Sequence, residues 1–556
     1  MKKFKLILIG LALLLSGLSV SGKAEAAAPI VYPYKTYTFS NMITDIYKLK
    51  NAYPGLVQVK VIGKSEFGRN IYAVGLGKGK AQAFINGSHH AREWLTTSLN
   101  MYMIDKYASA YVSGSSIKGY NARSVLNAST LWFVPMVNPD GVTLQQKGLT
   151  AFPASYHSTL IKMNGGSKNF KRWKSNAKGV DLNRQYDAKW AGTDSPSAPY
   201  YRDYKGTAPH TAKEVKAVLG LVNTKDFDMA LSYHTSGQIL FWNYEQSGTR
   251  KTRDYNLAKK LNSLTGYRLY TPADFSNAAG FSDWFSRKKL RTAFTVEISP
   301  YYSETNPPVS EFSGVWTENQ AGGLFAGYES AKLYTARMDA RAADLKTRLI
   351  SLRDSASRLK SYYYTNVTTT GALKKDAAFM DLYAKTKSTA SSLQKIYSSL
   401  PSRNQSELKP LFDESKRHIY YSGKFIKGID AGETAKLSST QQDTKLTGGV
   451  IDAALHRQTA AAVSNAKKAQ SDMYGTLVRQ LYSTKYTNPA YKIYAGSKFA
   501  VDRSTLLTEA GKLKAAGNYK AADTLIAQYD ELTKQSYRFK LYPAIETRLA
   551  AKRAQF

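Results

Sequence analysis

Cysteine is absent from the 556 residues, which excludes disulfides, thiolate metal sites, thiol nucleophiles and thiol redox motifs. Core burial and any bound metal must then supply the stability of the folded chain. Long apolar runs are also lacking: no stretch reaches the ~18–20 residues that a membrane-spanning helix needs. The nearest approach, Leu6 to Leu18, follows Lys2, Lys3 and Lys5 and precedes Ala24-Glu25-Ala26. That order fits a secretory signal with a small-residue cleavage site, so residues 1–26 are predicted to be a signal peptide and the mature chain an exported protein, extracellular or associated with the cell wall, with no transmembrane segment. Negative charge is scarce, 41 Asp and Glu against 78 Lys and Arg, a formal charge of +37. Such a balance attracts polyanions; for an exported chain an anionic cell-wall polymer is the natural partner, and nucleic acid is not expected. Histidine occurs only seven times, which keeps the search for metal ligands short.

What is present suits folded domains. Hydrophobic residues make up 43% and aromatics 12%, with 40 tyrosines, which predicts aromatic-rich surfaces, and the length suggests two to four domains at ~150 residues each. A helix is expected over Ser40 to Tyr53, then strands over Val57 to Ile62, Ile71 to Leu76 and Ala81 to Ile85, and a helix from Leu95 to Tyr107. Leu131 to Val137 is an unbroken apolar run, the mark of a strand buried on both faces, followed by the turn signal Asn138-Pro139-Asp140-Gly141. Gln145 to Lys168 reads as a polar surface insertion. Thr211 to Leu221 is helical, Phe227 to Ser232 and Phe294 to Ile298 are strands, and this alternation is that of an α/β domain. Past about residue 335 strand signals fade. Met338, Ala342, Leu345, Leu349, Leu352, Ala356 and Leu359 form a seam for packing on another helix, and further helical runs cover Phe379 to Leu400, Ala453 to Tyr482 and Ser504 to Leu532. The expected organisation is a catalytic domain over 27–335 and a helical, Lys- and Tyr-rich region over 336–556.

Chemistry concentrates first at Gly87-Ser88-His89-His90-Ala91-Arg92-Glu93-Trp94, where a strand ends and a helix begins. Imidazole nitrogen and carboxylate oxygen are good Zn²⁺ donors, and a catalytic zinc takes three protein ligands while leaving one position open. Either His89 or His90 can pair with Glu93 on this reading. Among the other histidines His234 is best placed for a third ligand, at the end of the strand Phe227 to Ser232, where α/β proteins gather their sites; His157, His210, His418 and His456 lie in the insertion, ahead of a helix, or in the helical region.

His90-Ala91-Arg92-Glu93-Trp94, Asn138-Pro139-Asp140-Gly141, Gly179-Val180-Asp181-Leu182-Asn183-Arg184, His234 and Glu297 together resemble, in order, the motif set of the zinc carboxypeptidase A (M14) family, over about Tyr37 to Tyr334. The resemblance implies a mixed, mainly parallel eight-stranded sheet flanked by helices and one Zn²⁺ held by His90, Glu93 and His234. It selects His90 over His89 through the family spacing His-x-x-Glu. It also implies Asp181 as the carboxylate orienting a ligand histidine, Glu297 as general base, Asn183 and Arg184 as receptors for a substrate carboxylate, and Arg92 on the approach. Two departures stand out. Where the family carries an oxyanion-stabilising arginine, this chain reads Lys171-Arg172-Trp173-Lys174, with Lys174 aligned to the position and either Lys174 or Arg172 able to supply the charge. Where the family often has a tyrosine closing over the substrate terminus, this chain has Phe275. Ser282 occupies the usual specificity position, and Asp283 beside it suits a basic or diamino side chain. The expected activity is that of a secreted zinc metallocarboxypeptidase cutting near a C-terminal carboxylate. One alternative is a γ-D-glutamyl-diamino acid peptidase acting on peptidoglycan stem peptides, since Trp173-Lys174 to Arg184 and His234 to Gly237 with Trp242 look similar to that bacterial branch. Another is a wall-binding or surface-layer-like protein with a vestigial peptidase domain.

Overall fold

The computed structural model describes residues 29–271 and 279–556; the expected signal peptide, 1–26, and Phe275 lie outside them. The chain divides into two compact units at Ala336/Arg337.

Among the described residues the first unit holds ten strands: β1 (Val57–Lys64), β2 (Asn70–Gly77), β3 (Ala81–Asn86), the short hairpin β4 (Ser116–Ile117) and β5 (Tyr120–Asn121), β6 (Ser129–Val134), β7 (Met229–Thr235), β8 (Ile239–Phe241), β9 (Arg268–Tyr270) and β10 (Thr292–Ile298). Eight of them form one sheet in the order β1-β2-β6-β3-β7-β10-β8-β9. The centre, β6-β3-β7-β10, is parallel, while β1-β2, β2-β6 and β10-β8 pair antiparallel. Period-two alternation sends successive side chains to opposite faces. Leu131 and Phe133 of β6, Ala83 and Ile85 of β3 and Met229, Leu231 and Tyr233 of β7 enter one core; Trp132 and Val134, Phe84 and Ala230 enter the other. Helices Phe39–Ala52 and Leu95–Ser113 supply the first core, and helices Lys213–Thr224 and Phe281–Lys289 the second. The apolar run after Leu131 is thus buried on both sides, as its composition predicts.

Three expectations change. Asn138-Pro139-Asp140-Gly141 starts the helix Pro139–Lys147, with Asn138 as its cap and Pro139 in its first turn, positions that suit both residues. Gln145 to Lys168 is a folded lobe with its own core: Leu144, Phe152, Leu160, Met163, Phe170 and Trp173 bury one another, apolar residues too widely spaced to show a period. The tyrosines are divided between surface and interior. Tyr301 is 77% exposed, whereas Tyr107, Tyr186, Tyr233, Tyr482 and Tyr486 are fully buried, and Tyr107 and Tyr482 donate to the carbonyls of Gln320 and Gly428, each at 2.8 Å.

The second unit is helical among its described residues. The helix Gly322–Lys360 carries the predicted seam, and every seam residue from Met338 to Leu359 is buried. Asp339 accepts from Asn404 (2.9 Å) and Lys346 pairs with Glu407 (3.1 Å), joining it to the 46-residue helix Ser402–Thr447. Helices Ala377–Ser399, Ala453–Asp472, Asn488–Ala515 and Tyr519–Lys534 complete most of the unit. No helix among the described residues is long and apolar enough to cross a membrane.

Candidate active site

β3 ends at Asn86, and the chain kinks immediately. Gly87 leaves no room for a side chain, since a Cβ would sit 2.8 Å from Asn100 Nδ2 and 2.9 Å from Thr96 Oγ1. Ser88 adopts φ 50°, which costs a non-glycine residue about 1–2 kcal/mol. Its N–H donates to Thr96 Oγ1 (2.8 Å), and its hydroxyl shares a hydrogen bond with that of Thr97 (2.7 Å); these bonds hold the turn. The following 3₁₀ turn, Ala91–Glu93, brings Glu93 back against His90.

The two histidines part company here. His89 is buried with Nε2 2.9 Å from the Tyr186 hydroxyl, and burial, reinforced by His234 and His90, holds its pKa well below the usual imidazole range. His90 faces the cavity: Nδ1 lies 2.7 Å from Glu93 Oε1 and 3.2 Å from His234 Nδ1, and His234 Nδ1 lies 2.9 Å from Glu93 Oε2. His90, Glu93 and His234 each offer one ligand atom, all within 4.8 Å of one another. This donor set fits zinc. Two imidazole nitrogens that face each other at 3.2 Å would oppose lone pairs unless a proton or a cation sits between them, and tetrahedral ligands at ~2.1 Å from Zn²⁺ stand about 3.4 Å apart. The far nitrogen of His90, Nε2, is 3.0 Å from Asp181 Oδ1, the carboxylate–histidine arrangement that fixes a ligand ring and raises its basicity.

Charge around the centre is strongly tuned. Burial opposes the Glu93 carboxylate, but His90 and His234 outweigh it and hold its pKa well below the ordinary value. Asp181 is likewise held low against burial, by Lys174 and His90. Glu297 goes the other way: burial and then the nearby Glu93 push its pKa well above the carboxylate range, and Lys174 and Arg184 do not offset them. Its Oε2 is shielded from solvent without a hydrogen-bond partner, which leaves it available to a proton. β7 and β10 pair in parallel with His234 opposite Glu297, so sheet register sets the distance between these two residues.

Arg92, Lys174, Asn183, Arg184 and Glu297 line one cavity with the three candidate ligands. Lys174 Nζ lies 3.0 Å from Asp181 Oδ2 and 2.6 Å from Asp203 Oδ1, which places its charge beside the candidate ligands. Arg172 is turned elsewhere: Nη2 donates to the Asn164 carbonyl (2.8 Å) and the guanidinium covers the Tyr201 ring at 4.0 Å. Of the two oxyanion candidates, the structure brings only Lys174 to the cavity. Asn183 Oδ1 accepts from Phe281 N (3.0 Å) and Arg184 Nη1 donates to the Asn183 carbonyl (3.1 Å), so the pair is braced against the turn before helix Phe281–Lys289. Asp283 caps that helix by accepting from Gly280 N (3.0 Å) and also lines the cavity, while Ser282 Oγ accepts from Thr295 Oγ1 (2.9 Å). Arg202, Asp203 and Glu304 were not legible as site residues. They lie in segments without periodicity, and Arg202 and Glu304 meet across a hundred residues of chain.

A zinc carboxypeptidase family model matches residues 42–322. The chain is 37% identical over 300 residues to a γ-D-glutamyl-L-diamino acid endopeptidase of Lysinibacillus sphaericus, 53% of this chain and 73% of that protein. It is 28% identical over 277 residues to carboxypeptidase A2 of Rattus norvegicus, 47% of this chain and 62% of that one. Among solved structures, bovine thrombin-activatable fibrinolysis inhibitor in complex with tick carboxypeptidase inhibitor aligns with a TM-score of 0.45 at 19% identity, covering 54% of this chain and 99% of that one.

Proposed function

Because the chain belongs to the zinc carboxypeptidase family and is a metallocarboxypeptidase-type hydrolase, we propose that it cleaves the amide between a γ-D-glutamyl residue and a diamino acid in peptidoglycan stem peptides, outside the cytoplasm. The observation that carries this reading is the 37% identity to an endopeptidase of that name, over 73% of its length. The cavity chemistry agrees with it. Zinc at His90, Glu93 and His234 would supply Lewis acidity and acidify water toward a pKa of ~7. Glu297 takes a proton from the attacking water and returns it to the departing amine, a task for which a raised pKa suits a carboxylate. Lys174, steadied by Asp181 and Asp203, faces the negative charge that develops on the carbonyl oxygen. Arg184 and Asn183 receive a carboxylate on the leaving side, for which the planar guanidinium fork is suited, and the Asp283 carboxylate offers the second amine of a diamino acid a partner.

The second reading, an exopeptidase acting on ordinary peptides, draws support from Asn183 and Arg184 alone, which would serve any free C-terminus. Offering the protein defined muropeptides and linear peptides with free C-termini, with products identified by mass, separates the two. Cleavage between γ-D-glutamate and the diamino acid is expected, with little release from linear peptides; the reverse preference would favour the exopeptidase. The third reading, a vestigial domain on a wall-binding protein, has the intact set His90, Glu93, His234 and Glu297 against it. The Lys- and Tyr-rich second unit is proposed to hold the enzyme on an anionic cell-wall polymer.

A further inference from the structure

Glu304 occupies an unusual place for an acidic residue in a cavity meant for an anionic substrate. Its Oε1 lies 2.6 Å from Arg202 Nη1 and 3.9 Å from Arg92 Nη1, and the Tyr201 hydroxyl lies 3.3 and 3.4 Å from its two oxygens. Arg92, Arg202 and Glu304 line the same cavity as Glu297. The receptor is braced from behind: Arg92 Nη1 donates to the Arg172 carbonyl (3.1 Å), and the Arg172 guanidinium covers Tyr201. Two guanidinium groups and a phenol thus converge on one carboxylate, and that carboxylate belongs to the chain itself. The side chains of Arg202 and Glu304 are 46% and 34% exposed, so the pair can part at small desolvation cost.

A γ-glutamyl amide differs from an ordinary peptide bond in one respect that matters here. Its scissile carbonyl ends the glutamyl side chain, and the residue's own α-carboxylate remains free three carbons away on the acyl side. Such a substrate brings a second carboxylate in addition to any on the leaving side, where Asn183 and Arg184 stand. We infer that Arg202, with Arg92 and Tyr201, receives the α-carboxylate of the γ-glutamyl residue, and that Glu304 is a built-in counter-ion which this carboxylate displaces. The inference rests on the function proposed above and deepens it. Exchange of one carboxylate for another leaves the guanidinium charges compensated throughout. A substrate whose α-carboxyl is a neutral amide brings no charge with which to displace Glu304, so the receptor discriminates between the two forms.

The test uses the full-length protein and two synthetic stem peptides that differ only at this group, γ-D-glutamate with a free α-carboxylate and its α-amide. The wild type should favour the acid by about tenfold in kcat/KM, mostly through KM. Arg202→Gln should lower kcat/KM on the acid about tenfold and bring the acid-to-amide ratio close to one, with Arg202→Lys in between; Glu304→Gln should move the opposite way, lowering KM for the acid more than for the amide. Glu304→Gln alone decides the matter should Arg202→Gln melt early by circular dichroism. Equal use of acid and amide by the wild type, or equal losses on both in Arg202→Gln with no gain in Glu304→Gln, would overturn the inference while leaving the proposed bond cleavage in place. Failure to cut either peptide, with linear peptides cut instead, would overturn both.

Discussion

Asp181 serves two neighbours at once, orienting His90 through Oδ1 and meeting Lys174 through Oδ2. Asp181→Asn replaces one acceptor by a donor, so it should weaken zinc retention by ~10–100-fold and lower activity further by loosening Lys174; chelator competition measures the first effect separately from the second. Glu297 touches none of the candidate ligands at bonding distance, so Glu297→Gln should keep one zinc per chain by metal analysis and lose about 10²–10⁴-fold in kcat. A variant still active at the wild-type rate would remove Glu297 from the chemistry. Away from the cavity, Glu214 is buried between Asn176 Nδ2 (3.2 Å) and the Glu66 amide (3.2 Å), and burial, with Asp140 and Glu66 nearby, pushes its pKa up to about 7 from 4.5. An acid whose folded pKa is raised binds its proton more tightly in the folded state, so its contribution is fully present below pH ~4.5 and declines as pH rises through about 7, by about 3 kcal/mol in all. Urea midpoints should show this component falling between about pH 4.5 and 7 in the wild type and level above that, and the Glu214→Gln profile should be flatter over that window.

At the scale of elements, the loop that presents His90 is held by its neighbours as much as by its own bonds. Asn138 caps the helix Pro139–Lys147 through Gly141 N (2.9 Å) and donates to the carbonyls of His89 and Ser175 (3.1 Å each). Asn138→Ala should cost about 2–3 kcal/mol, a cap plus buried carbonyls left without a donor, and should weaken zinc binding because the His89 carbonyl is next to the ligand. Thermal melts with and without added zinc check both parts. Elements of this kind explain what was legible in the sequence and what was not. Central strands were visible because burial on both faces writes itself as unbroken apolar runs, as at Leu131 to Val134. The lobe around Trp173 was not, because its core is assembled from residues eight or more apart in several places, and the short strands β8 and β9 at one end of the sheet offer three residues each, too few for a period. The helix Ser402–Thr447 was obscured by Pro410 inside it, a residue that lacks the N–H the helix needs. His90, Glu93, His234 and Glu297, which line one cavity, could be picked out from ordered motifs. The Arg202–Glu304 and Lys174–Asp203 pairs are tertiary, and no local pattern announces them.

For the whole molecule, charge and structure divide differently. Residues 337–556 carry 37 Lys and Arg against 19 Asp and Glu, +18 of the chain's +37, while the candidate ligands, base and cavity all belong to the first unit. The second unit gathers its +18 on 220 residues, against +19 on the 336 before it, so a chain ending at Ala336 should retain hydrolysis of a soluble stem peptide and hold an anionic wall polymer less well, and salt should release the full-length protein from that polymer. Equal retention by the shortened chain would move the binding role to the first unit.

The register that sets His234 opposite Glu297 has a consequence for how the enzyme fails. A one-residue slip of β10 would turn Glu297 to the other face of the sheet, so no shift of register can keep His234 in place and misplace Glu297 by a little. Loss of function on heating or in denaturant should then be abrupt: metal release, loss of catalysis and hydrogen exchange of the β7 and β10 amides should share one midpoint, with no inactive, metal-loaded species between the working enzyme and the unfolded chain.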